Sequence, residues 1–147
     1  MMKLRINLTL AVFCLLMTPW DANTMDKPLE NLESLRWEYR LVVVHATGSA
    51  AEHALSNFKY YAPGIEERDI AWFLITDDAV STNYNGTLAD DFRENLLNTW
   101  FNPIPDQNTL LLIGKDGSLK SRSDDLDLES TFQTIDNMPM RRQEMRQ

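Results

Sequence analysis

Thiol chemistry is almost absent from this chain. Its 147 residues contain one cysteine, Cys14, and that residue lies in an apolar N-terminal segment. A single thiol excludes an internal disulfide, a Cys-x-x-Cys redox pair and a cysteine-rich metal site. Histidine is scarce as well. His45 and His53 are the only two, and two ligands do not make a metal site. Positive charge is also short: 14 Lys and Arg stand against 22 Asp and Glu, a net charge of −8. Such a chain repels phosphate backbones, which excludes nucleic acid and anionic membrane as natural partners. The small basic cluster Arg141, Arg142 and Arg146 reads as a solvated tail behind a helix. There is no internal repeat and no low-complexity linker.

What is present begins with a charged and then apolar N-terminus. Lys3 and Arg5 precede Leu8 to Met17, a run too short to span a bilayer comfortably. The pattern predicts a signal peptide over residues 1–24, with Ala22 and Thr24 both open as the last residue before the cut, and a periplasmic or secreted product. The alternative is anchoring by an uncleaved N-terminal segment. Residues 25–147 then suit a single domain with no further membrane span.

Along that domain, Asp26 to Tyr39 reads as a short helix or irregular arm. Leu41 to His45 and Ile70 to Thr76 are apolar throughout, as central strands buried on both faces should be. Between them, Ala51, Ala54, Leu55, Phe58 and Ala62 mark one face of a helix. Ser49 and Glu52 form a capping-box pattern at its start, and Pro63-Gly64 predicts its end. Asp77 to Gly86 reads as a polar loop. Thr87 and Asp90 predict the start of a second helix with Phe92, Leu96 and Trp100 on its inner face. Thr109 to Ile113, the turn Asp116-Gly117 and Leu119 to Arg122 predict a hairpin. Asp125 or Asp127 caps a last helix carrying Leu128, Phe132 and Ile135, and Pro139 predicts its stop. The order β-α-β-α-β-β-α predicts an α/β domain. Its most compact form is a thioredoxin-like four-stranded mixed sheet, order 2-1-3-4, flanked by helices.

Leu35 to Ala46 (LRWEYRLVVVHA) and the segment from Leu111 to Met145, with its Gly-Lys-Asp-Gly turn and Ile-Asp-Asn-Met-Pro-Met-Arg-Arg motif, resemble the bacterial branch of the domain of unknown function 4174 family. The resemblance covers about residues 30 to 145. It implies export and a thioredoxin-like fold distantly related to peroxiredoxins. It implies no reaction and no catalytic residues.

In a redox thioredoxin the loop after the first core strand carries the reactive cysteines. Here that loop is His45-Ala-Thr-Gly-Ser, so thiol exchange and thiol peroxidase chemistry have no nucleophile. Catalytic, cofactor and metal residues are all expected to be absent. The candidate ligand or interaction loop comprises His45, Thr47, Gly48, Ser49 and His53. A Ser49-His53 nucleophile lacks a third member and an oxyanion hole, and His45 with His53 lacks a third metal ligand. Asp77-Asp78, Asp90-Asp91 and Asp124 to Asp127 lack the spacing of a calcium loop. Pro103 and Pro105 are both candidates for a cis peptide bond. The expected function is a non-catalytic protein-interaction or envelope-support module whose partner is another protein of the cell envelope. The alternative is a small-molecule or metal-binding domain using the loop after the first core strand.

Overall fold

The computed structural model describes residues 27–147. The expected signal segment, its cleavage point and Cys14 lie outside the described residues. Five strands form one mixed sheet in the order β3-β2-β1-β4-β5. They are β1 (Arg40–His45), β2 (Ile70–Ile75), β3 (Val80–Thr82), β4 (Thr109–Ile113) and β5 (Leu119–Ser123). β1 and β2 run parallel, and the other pairs are antiparallel.

The four expected strands therefore lie in the expected order, but the sheet has five strands rather than four. The extra one, β3, lies inside the segment read as a polar loop. Its three residues are half-buried and pair only with Phe73 to Ile75. A span that short carries no periodicity for a sequence to display.

Alternate residues of the central strands feed two apolar layers. Leu41, Val43, Phe73, Ile75, Leu111 and Ile113 face one side, packed by Phe92, Leu96, Leu97 and Phe101. Val42, Val44, Trp72, Leu74, Leu110 and Leu112 face the other, packed by Ala54, Phe58, Ile65, Phe132 and Ile135. The first layer lies under α3 (Phe92–Trp100). The second lies under α1 (Gly48–Tyr60), α2 (Ala62–Glu67) and α4 (Leu128–Asp136). The N-terminal arm is a 3-10 turn, Leu32–Leu35, preceded by Leu29, whose backbone bonds Thr87 and Ala89. It seals the α3 side with Leu29, Leu32 and Leu35.

Several helix ends differ from the sequence reading. Thr47, not Ser49, stands at the N-cap of α1, and it makes no side-chain cap bond. Gly48 takes φ +56° where the chain bends into the helix, a left-handed conformation that glycine adopts without a Cβ penalty. Pro63 ends α1 but also opens α2, since proline suits a first helical turn. Thr87 pairs with the arm instead of capping α3, which begins at Phe92. Of the two aspartates expected to cap α4, Asp127 does so, accepting from the N–H groups of Glu129 and Ser130. Pro139 opens a further helix, α5 (Pro139–Glu144), rather than stopping the chain. Arg141 is accordingly buried, not solvated. Of the two candidate prolines, Pro103 follows a cis bond, Asn102–Pro103.

Beyond β3, the outer edge of β2 is closed by a side chain. Asn83 Oδ1 accepts from the Trp72 N–H at 2.8 Å, and its Nδ2 donates to the Ile70 carbonyl at 2.9 Å. The amide thus occupies two ladder positions that a foreign strand could otherwise take. Asn83→Ala is expected to destabilise the domain by about 2 kcal/mol, one hydrogen bond's worth for each group left bare. It should also introduce concentration-dependent self-association. Urea unfolding and sedimentation equilibrium check both, and an unchanged monomer of unchanged stability would remove Asn83 from this role.

Candidate functional site

β1 hands the chain to α1 on one side of the sheet, and the chain leaving β2 passes through the edge strand β3 to α3 on the other. Where neighbouring parallel strands part in this way, a crevice opens beyond their carboxyl ends, the usual binding position of open α/β sheets. Here it is a cleft of about 260 Å³ lined by His45, Thr47, Asp77, Arg93, Leu97 and Ile104 to Asn108. A larger cavity of about 520 Å³ lies at the β2 edge. Asp69 on its lining is already paired with Lys115, so it offers less chemistry.

His45 ends β1 and is 8% exposed. Its Nδ1 is sealed from solvent and has no hydrogen-bond partner among the described residues. Phe101 packs against the ring with centroids 5.7 Å apart. Burial lowers the His45 pKa. The nearby Asp77 carboxylate pulls it up again, and Arg93 adds to the lowering. The imidazole is therefore neutral at neutral pH, with one ring nitrogen free to accept.

Arg93, on the first turns of α3, is fixed by the backbone that leaves β2. Its Nε and Nη2 donate to the Thr76 carbonyl at 3.0 and 2.8 Å, and Nη2 also donates to the Asp77 carbonyl at 2.6 Å. Among the described residues no carboxylate lies within ion-pair distance of it. A guanidinium held this way is an oriented positive charge with Nη1 left unused. Thr47 stands opposite at the head of α1, where the first-turn N–H groups lack a side-chain cap. Asp77 and Asp106 supply negative charge to the same lining.

The candidate loop is thus divided. His45 and Thr47 reach the cleft. Gly48 shapes the turn into α1, and Ser49 and His53 are exposed on α1, outside the cleft lining. Neither Ser49 with His53 nor His45 with His53 is brought together there. Among the described residues no group of three or more His, Cys, Asp or Glu is placed to hold a metal ion. Only Thr47 brings a hydroxyl to the lining, so the arrangement suits binding better than nucleophilic chemistry.

Arg93, Asp106 and Phe101 were not among the residues singled out from sequence. A signal for Arg93 does exist: it is the only Lys or Arg between Arg68 and Lys115. Nothing in the sequence shows that its charge turns toward the end of β1.

Residues 31–144 match the family described as Domain of unknown function (DUF4174), and the chain belongs to that family. No curated protein and no solved structure matched the chain.

Proposed function

We propose that this member of the DUF4174 family is an exported, non-catalytic thioredoxin-like binding module. It carries no thiol redox activity and engages another protein of the cell envelope through the cleft at the carboxyl end of β1. One observation carries the reading: a cationic Arg93, with no carboxylate in ion-pair distance among the described residues, lines a cleft with His45 where α/β sheets bind ligands. The cysteine-free domain argues against oxidoreductase chemistry. Among the described residues no helix is long and apolar enough to cross a membrane.

The test is in vivo crosslinking of the full-length protein, with the wild type compared with Arg93→Gln. A reproducible partner should appear with the wild type and be lost with the variant, while disulfide reductase and peroxidase assays stay at background. A partner captured equally by both forms, or thiol-independent turnover of a disulfide substrate, would overturn the reading. A second reading, a small-molecule site, is favoured by the cleft's small volume and concave polar lining.

A further inference from the structure

The cleft mixes charges in a way that restricts what it can hold. Arg93 is a fixed cation with Nη1 free, so it calls for a planar oxyanion. Thr47, at the N-cap of α1, lines the same cleft and brings no negative charge to oppose it. Asp77 and Asp106 oppose a ligand that is only anionic, and a phosphate dianion would meet both of them. Their carboxylates are acceptors that call for N–H donors. The ligand that answers both demands carries a carboxylate and an N–H group a short distance apart. The volume of about 260 Å³ admits an end group rather than an extended molecule.

We infer that the cleft binds an α-carboxylate whose neighbouring nitrogen carries hydrogen, as in a free amino acid or the C-terminal residue of a peptide. The carboxylate pairs with Arg93. The N–H group faces Asp77 and Asp106. This inference rests on the proposed binding role of the cleft and names the chemistry recognised there.

Three probe sets distinguish the sources: free amino acids, N-acetyl amino acids, and N-acetyl amino acid amides. The first carries an ammonium group, the second imitates a chain terminus, and the third lacks the carboxylate. Binding to the full-length protein is followed by NMR through the Thr47 amide and the Arg93 side-chain N–H. One or both acid sets should bind, and the amides should bind about tenfold more weakly or not at all, the loss of one charge-assisted pair. Arg93→Gln should weaken the acids to the level of the amides. Because Arg93 also holds the β2 loop, Asp106→Asn provides a second variant at an exposed site. It should weaken free amino acids while leaving N-acetyl forms unchanged.

Binding by free amino acids alone identifies a small-molecule source, and binding by N-acetyl forms identifies a chain terminus. Amides binding as tightly as acids, or no acid binding at millimolar concentration, overturns the inference. If no acid binds yet Arg93→Gln still abolishes the crosslinked partner, the proposed function stands and only the ligand chemistry falls. If the crosslink also survives that substitution, both fall.

Discussion

Glu144→Ala is expected to destabilise the domain by about 2–4 kcal/mol, because it strands a buried cation. Arg40 opens β1 and is 1% exposed. Its Nη1 donates to the Arg68 carbonyl, and its Nη2 donates to both Glu144 oxygens at 3.1 and 3.0 Å. Glu144 also accepts from Lys115 Nζ at 3.1 Å, and Lys115 reaches Asp69 at 2.8 Å. Glu144 is itself partly exposed, so water replaces some of what is lost, which keeps the effect below that of a fully enclosed pair. Arg40→Met should cost less than Glu144→Ala, since an apolar side chain of similar length leaves no buried charge behind. Urea unfolding of both variants decides the matter. A larger loss for Arg40→Met would mean that the attraction between the charges, rather than the stranding of one, governs the site.

The same network sets the response to acid. The Arg68 hydrogen bond is the main reason Asp136 lies below the usual carboxylate range. At Glu144 burial pushes the pKa up, but the hydrogen bonds from Arg40 and Lys115 outweigh it and the net direction is down. A carboxylate lowered by folding contributes its full stability above the unfolded-state value. That contribution is lost as the pH falls through the folded value. His45, lowered by burial, acts earlier in the same direction, because the unfolded chain takes up its proton first as the pH falls below the ordinary histidine range. Stability should therefore decline in two stages on acidification. Glu144→Ala with Asp136→Asn should shrink the lower stage, leaving the part that the partly exposed Asp116, lowered to about 2 by its Lys120 hydrogen bond, still contributes, and leave the upper one, as read from unfolding midpoints across pH.

Phe101→Ala is expected to cost about 3–5 kcal/mol, the range for emptying an aromatic from a close-packed core. Phe101 follows α3, has no exposed surface and packs with Phe92, Leu96 and Ile113 in the layer under that helix. Its ring also shields His45, so the substitution should reach the cleft. The milder Phe101→Leu, at about 1 kcal/mol, keeps the fold and lets the site be measured. Because burial is the largest cause of the lowered His45 pKa, thinning that cover should raise it toward the ordinary value. An NMR titration of the His45 ring reads this directly. An unmoved titration midpoint would show that Phe101 supports the core without shaping the site.

Arg141 shows why parts of the fold were hidden in the sequence. It sits in Met138-Pro-Met-Arg-Arg, the motif that signalled the family, where three nearby arginines suggested a solvated tail. In the folded chain Arg141 donates to the Glu67 carbonyl at 3.0 Å and to its carboxylate at 2.7 Å, partners 74 positions away. The motif thus seats α5 against α2, a structural task invisible to local pattern. β3 was missed for a related reason. Val80 to Thr82 becomes a strand because a turn from Thr76 to Ala79 folds it onto the edge of β2. The Ser49-Glu52 pattern failed because the helix starts two residues sooner, at Gly48.

The sequence by itself determined the layered α/β core. Three continuous apolar strands must be covered on both faces, and the helix periodicities between them supply that cover. It also determined the thiol-free character of the domain, since that depends on composition and not on shape. Tertiary structure alone decided the site. His45 was visible as the end of a strand, but Arg93 shares its cleft only because α3, which follows β2 and β3, packs beside the end of β1. Bringing the two charged walls together depends on contacts across nearly fifty residues, and local spacing carries no record of those.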